Sequence, residues 1–305
     1  MKIEINKILV PTDFSETSNY AVEKACRLAS KLGAKLYIIH VLESSPYKLV
    51  PADENPKEKV VYQKNIMDRL EKLSKSISDQ YHIEVNTLLG ENKVVEVIED
   101  AVKDNNIDLI VMGTSGASGM REFLIGSNAQ RVVNRSVCPV ITFRVPPGEL
   151  GFKTIVLPVE EWNSSIEKLD YVTEIAKIYD SQVHLLGIIE SNKKADMRRV
   201  LVLLNTAEKY LKENNISFVR KIISSQHIAK ETLLYAEEIK ADLIMVMTEH
   251  ESRLESVLAG VLARHIANHS LIPVMSIKPA MYHAEKISIP KEPLRSRQNH
   301  SNINE

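Results

Sequence analysis

KILVPTDFSETSNYAVEKACRLASKLGAKLYIIHVLE, from Lys7 to Glu43, sets two apolar runs on either side of a segment of helical periodicity. A β-branched apolar run over residues 7–12 gives way to a polar turn. Ala21, Ala25, Leu28 and Leu32 then recur at helical spacing before a second apolar run over residues 35–42. Strand, amphipathic helix and strand, with no hairpin signal between them, is the pattern of a parallel βαβ unit. The alternation continues downstream. Residues 83–88, 107–112 and 139–143 read as strands, and Ile66, Leu70, Leu73 and Ile77, then Val94, Val97, Ile98 and Ala101, mark helical faces. A further helix is expected to begin near Gly126. Five parallel strands with helices between them make an α/β, doubly wound domain.

After Gly151 the order starts again, and KTIVLPVEEW, from Lys153, echoes KILVPTDF. One offset lays Pro158 on Pro11, Glu160 on Asp13, and residues 183–190 on residues 36–43. A second, shorter offset lays Val200, Leu204, Ala207 and Leu211 on Ile66, Leu70, Leu73 and Ile77, and runs on to the last strand. There Asp242, Leu243 and Ile244 fall on Asp108, Leu109 and Ile110, and Asn268, Ser270, Pro273 and Val274 on Asn134, Ser136, Pro139 and Val140. Self-similarity of this extent identifies two tandem copies of one unit. They are expected over residues 1–146 and 151–279, with Pro146, Pro147, Gly148 and Gly151 as the hinge. The difference between the offsets matches SSPYKLVPADENP, residues 44–56, a proline-punctuated polar loop that the second copy lacks. Residues 280–305 are polar, without apolar periodicity, and are expected to be a disordered tail.

Composition narrows the function classes. A chain of 305 residues with 44% hydrophobic and 26% charged side chains can pack two cores without staples. A net charge of -1 and a pI near 6.8 leave no basic field for nucleic acid. Cys26 and Cys138 fall on apolar faces and form no CxxC or Cys/His cluster, so they read as buried thiols in a reducing compartment. No apolar run approaches the ~20 residues that span a bilayer. The opening MKIEINKILVPTD carries neither a signal-peptide core nor a cleavage site, so a cytoplasmic protein without membrane insertion is expected. His265 and His269, four apart on an expected helix, have no third ligand at a suitable spacing and read as surface histidines. Trp162 is expected to cover an edge of the second core.

In an open parallel sheet, ligands bind outside the carboxyl ends of the strands where the strand order reverses. Just after the first strand comes PTDFS, which sets the carboxylate of Asp13 at the rim, and after the fourth comes GTSGASGMREFLIGSN, from Gly113 to Asn128. Gly113, Gly116 and Gly119 permit positive φ and close backbone approach, which turns consecutive amides into a concave anion site. Gly126 and Ser127 then open a helix whose amides and dipole favour a phosphate, with the Ser127 hydroxyl as a further donor. Taken alone, this segment also reads as a flexible loop with Ser127 as a helix cap.

The spacing resembles the ATP-binding branch of the universal stress protein family, whose motif is Gly, two residues, Gly, nine residues, Gly, then Ser or Thr. Gly113, Gly116, Gly126 and Ser127 fit it in full, and VPTDFS and IIHVLE resemble the family's first two strands. The resemblance covers about Lys7 to Lys278. It implies two five-stranded sheets of order 3-2-1-4-5, joined within the chain by their last strands, residues 140–143 and 274–277, and it leaves room for a homodimer. It also implies bound ATP with Mg²⁺, with ADP and AMP as alternatives. Asp13 and the Val41 backbone would hold the adenosine end, Pro11 and Thr12 would shape that wall, and Met112 would lie beside adenine or ribose. Gly113, Gly116, Gly126, Ser127 and Asn128 would surround the phosphates. Val41 and Met112 also read as packing residues, and Arg121 as a solvated cation within reach of phosphate.

The second copy departs at the positions that matter: Gly113 becomes Met247, Gly116 becomes His250, Ser127 becomes Val261 and Asp13 becomes Glu160, while Gly260 keeps Gly126. Side chains at 247 and 250 fill space that phosphate needs, so one nucleotide is expected, in the first copy. The expected function is a nucleotide-binding stress regulator that signals to an unidentified regulatory protein. A weak ATP hydrolase or nucleotidyl transferase, and a structural module without nucleotide, are the rival readings. The sequence holds no GxSxG, GxxxxGK[ST] or HExxH motif.

Overall fold

A computed structural model describes residues 3–43, 56–114, 126–144, 151–159, 168–190, 194–248, 263 and 265–278. The first half runs β1 (Lys7–Pro11), α1 (Glu16–Leu32), β2 (Lys35–Leu42), α2 (Pro56–Tyr81), β3 (Val85–Glu91), α3 (Val94–Asn105), β4 (Leu109–Gly113), α4 (Ser127–Arg135) and β5 (Val140–Phe143). The second repeats it with β6 (Thr154–Val159), α5 (Lys168–Tyr179), β7 (Gln182–Ile189), α6 (Lys194–Glu213), β8 (Ser217–Ser224), α7 (Ile228–Glu238), β9 (Leu243–Met247) and β10 (Val274–Ile277). Residues 265–269 are helical, at the place of α4 in the repeat. β2 coincides with its apolar run, and the other strand ends lie within three residues of theirs, the largest difference at β3, where hydrogen bonding to β2 carries the strand on to Glu91.

Local chemistry explains the elements. The Ser15 side chain caps α1 by accepting the Ser18 N–H, and Gly33 ends the helix in the left-handed region at φ 67°. A Cβ at Gly33 would meet nothing within 4 Å, so conformation and not space selects glycine there. Asp108 accepts the backbone N–H groups of Asn6 and Lys7, each at 2.9 Å, and so fixes the start of β1 against β4. Its counterpart Asp242 does the same for Thr154 at 2.9 Å.

All ten strands form one sheet, in the order β3-β2-β1-β4-β5-β10-β9-β6-β7-β8. Within each half the pairs are parallel and the order is 3-2-1-4-5. The halves meet in an antiparallel pair: Val274 opposite Thr142, Met275 opposite Ile141, Ser276 opposite Val140. Both central strands are buried throughout. Thr142 Oγ1 adds a bond to the Val274 carbonyl at 3.3 Å, and the Arg144 guanidinium reaches the Asn268 carbonyl at 3.0 Å. One hydrophobic cluster lies under α1, α2, α5 and α6 and runs through both halves; the other lies under α3, α4, α7 and residues 265–269. Cys26 and Cys138 are buried free thiols, pushed by desolvation up to about 12 and about 11. Among the described residues no helix is long and apolar enough to cross a membrane. The Trp162 expectation and the tail, residues 280–305, lie outside the described residues.

Met275 and Ile141 face each other across the junction, both fully buried. Met275→Ala should therefore cost about 2–5 kcal/mol of stability. In a double-mutant cycle in urea, Ile141→Ala should couple to it by about 0.5–3 kcal/mol, and additive losses would show that the halves do not share this core.

Candidate functional site

β1 has β2 on one side and β4 on the other, so the carboxyl ends of β1 and β4 flank the point where the first half's strand order reverses. The helix after β1 packs on one face of the sheet and the helix after β4 on the opposite face. In open sheets of this kind the space between two such helices is the crevice where ligands bind, and alternation along the strands decides what faces it. Leu9, Ile39, Ile110 and Met112 belong to the cluster under α3 and α4, and Val41 packs against it. Pro11, one pleat beyond Leu9, falls on that face as well. Pro11, Val41 and Met112 thus form an apolar wall, half-buried at Pro11 and Val41 and buried at Met112.

The turn after β1 is tightly determined. The Thr12 N–H donates to the Ile39 carbonyl at 2.8 Å. Its hydroxyl accepts the Phe14 N–H at 3.0 Å and lies 3.1 Å from the Ser18 hydroxyl. Asp13 stands exposed at the rim, one carboxylate oxygen accepting the Ser15 N–H at 3.0 Å. His40 is buried with Nδ1 2.8 Å from the Thr12 carbonyl; since a carbonyl can only accept, Nδ1 carries the proton.

Gly113 at the end of β4 and Gly126 at the start of α4 behave differently from the sequence expectation. Gly113 is extended, paired with Phe143, and has no positive φ. Its need for glycine comes from α1: a Cβ would lie 2.8 Å from Thr17 Cγ2 and 3.1 Å from the Thr17 carbonyl oxygen. The Gly126 amide is not open to a ligand either, because it donates to the Thr114 carbonyl at 2.5 Å. A Cβ at Gly126 would sit 2.7 Å from that same oxygen, so close backbone approach does require glycine there. Gly126, not Ser127, is the N-cap of α4, and having no side chain it offers the first turn no side-chain cap. Ser127 is exposed as the first helical residue, and Asn128 Nδ2 reaches Glu43 Oε1 at 3.2 Å, tying α4 to the end of β2.

Thr114 is the residue sequence reasoning missed. It is 3% exposed, its N–H donates to the Phe143 carbonyl at 2.8 Å, and its hydroxyl has no hydrogen-bond partner among the described residues. In the second half Thr248 holds the same place. There the N–H donates to the Ile277 carbonyl at 2.7 Å and the hydroxyl donates to the same oxygen at 3.2 Å. A threonine in both copies carries no sequence signal, and only hydroxyl geometry separates them. Met247, in the place of Gly113, is buried in the core beneath α5 and α6. Gly116, Gly119 and Arg121, with Glu160, His250, Gly260 and Val261 of the second copy, lie outside the described residues. The His265 and His269 rings lie 4.3 Å apart, and among the described residues no group of three ligating side chains could hold a metal.

Both halves, residues 4–144 and 151–278, match the universal stress protein family model. A universal stress protein of Methanocaldococcus jannaschii is 31% identical over 143 residues, covering 47% of this chain and 84% of that protein. One from Synechocystis is 22% identical over 298 residues, covering 90% of this chain and all of the other. Among solved structures, a universal stress protein from Archaeoglobus fulgidus superposes with a TM-score of 0.69 at 22% identity, covering 90% of this chain and 97% of that one.

Because the first turn of α1 presses on Gly113, Gly113→Val should lower stability by about 1–3 kcal/mol in urea unfolding, ligand absent. A variant as stable as the wild type would show that Thr17 has room to retreat.

Proposed function

Because the chain belongs to the universal stress protein family through both of its halves, we propose that it is an ATP-binding stress-response regulator that holds one nucleotide, in its first half. The observation that carries this reading is the buried, unpartnered hydroxyl of Thr114 beside its satisfied twin Thr248. An unsatisfied buried hydroxyl costs about 1–3 kcal/mol, which a polar ligand group in the crevice would recover. The residues present fit an adenine nucleotide. Pro11, Val41 and Met112 supply the apolar wall for the adenosine end, with Thr12 behind it and Asp13 placed to accept ribose hydroxyls. The phosphates would lie along Gly113, Thr114 and Gly116, toward the first-turn amides of α4 at Ser127 and Asn128, with Gly126 holding the backbones close and Arg121 as a nearby cation. Mg²⁺ would arrive with ATP and neutralise its phosphates; ADP and AMP share the adenosine wall.

Occupancy has a direct route to the second half. Thr114 is bonded to Phe143 at the end of β5, the strand that pairs with β10, and Arg144 follows with its bond to Asn268. A cytoplasmic location, a second copy of the chain and an unidentified regulatory protein that reads occupancy belong to the same proposal.

Titration calorimetry of the full chain with ATP and Mg²⁺ should give a stoichiometry near one, and a value near two would overturn the assignment to the first half. The threonine twins should respond with opposite signs. Thr114→Val should hold or raise the ligand-free stability while weakening ATP about 5- to 100-fold. Thr248→Val should cost about 0.5–1.5 kcal/mol of stability and leave ATP affinity unchanged.

A further inference from the structure

Phe14 follows Asp13 in the turn after β1, and its φ of 62° places a bulky aromatic residue in the left-handed region. Such a backbone is strained for any residue with a Cβ and persists only where its surroundings over-determine it. Here they do. The Phe14 ring stacks on His40, centroids 4.9 Å apart and planes 27° apart, and the Arg69 guanidinium of α2 lies 3.8 Å from the Phe14 ring centroid. His40 in turn donates to the Thr12 carbonyl, and the Asn19 amide donates to the Phe14 carbonyl at 3.3 Å. Asp13 is thus held from both sides: by Thr12, pinned through His40, and by Phe14, pinned between an imidazole and a guanidinium.

The repeat supplies an internal control. At the positions of Phe14, His40 and Arg69 the second half carries Glu161, Gly187 and Leu203. All three partners are gone together, in the half that has also lost Gly113, Gly116 and Ser127. The space is closed as well: a Cβ at Gly187 would come within 2.6 Å of Leu204 Cδ1 and 3.2 Å of Val200 Cγ1, so α6 packs where the His40 ring stands in the first half. If the stack served only the fold of the unit, the second half would need it equally.

We propose that Arg69, Phe14 and His40 are positioning residues for nucleotide binding, a clamp that holds the strained turn in the one conformation that aims Asp13 at the adenosine end. This rests on the nucleotide reading of the first half. The guanidinium over the ring is a cation–π contact. It brings in α2, an element that contributes nothing else to the crevice wall described above. A substitution in α2 should therefore be felt at Asp13 without touching the ligand.

The test is ATP titration of the full chain in the Phe14→Leu, Phe14→Tyr, Arg69→Ala, Asp13→Ala and Phe14→Leu/Asp13→Ala variants, with thermal unfolding of each. Phe14→Leu and Arg69→Ala should each weaken ATP about tenfold, and Phe14→Tyr, which keeps the ring, should bind within about twofold of wild type. Phe14→Leu should weaken ATP no further once Asp13 is alanine. Wild-type affinity in both Phe14→Leu and Arg69→Ala would overturn the clamp and leave the nucleotide reading standing. So would an undiminished loss from Phe14→Leu in the Asp13→Ala background, because the effect would then not run through Asp13. A wild-type chain that binds no ATP would instead overturn the reading on which the clamp rests. Should Phe14→Leu fail to fold, Arg69→Ala, which changes an exposed side chain, carries the same decision.

Discussion

Three residue pairs carry the architecture: Val274 opposite Thr142, Met275 opposite Ile141 and Ser276 opposite Val140. β5 and β10 are buried on every residue, and each would present a bare row of amides and carbonyls if its half stood alone. An apolar open edge of that kind invites association, and antiparallel pairing within the chain removes two such edges at once. The outer edges are built otherwise. β3 is only half-buried, and β8 is largely exposed with Arg220 and Lys221 at its centre, side chains that discourage further strand addition. Burial therefore falls from the junction outward.

That junction also places the candidate site. β4, whose end carries Gly113, lies next to β5, and the amide of Thr114 is bonded to Phe143 on the junction strand. The crevice at the reversal of strand order is thus one residue from the element that the second half packs against. The halves differ at equivalent places: the Thr114 hydroxyl has no partner among the described residues while that of Thr248 is satisfied, and Met247 and the packing of α6 take the places that Gly113 and His40 hold in the first half.

Most of the fold was legible in the residues because the periodicities are physical. A helix buries every third or fourth side chain and a parallel strand nearly all of them, so Ala21, Ala25 and Leu28, or Ile107 to Met112, announce their elements before any contact is known. The repeat then doubled every inference. Gly113 was legible as a required glycine but not for the right reason: the sequence pointed to positive φ, and the cause is the approach of Thr17 from α1, a contact between elements that no local pattern encodes. Gly126 was read as a donor to a ligand, and its amide instead closes the loop on Thr114.

The fold class, the duplication, the five strands of the first half and the residue differences between the copies were legible before folding, because each is written in spacing or in which residue type stands at a repeated place. Which hydroxyl is satisfied depends on contacts that form on folding. Thr114 and Thr248 are the same residue at the same position, and the difference lies in where one Oγ1 points relative to a carbonyl on a strand distant in sequence. Folding alone assembled Arg69, Phe14 and His40, drawn from a helix, a turn and a strand, into one stack. Hydrogen-bond satisfaction and ring stacking depend on distances of a few ångströms between residues far apart in the chain, and those distances exist only once the chain has folded.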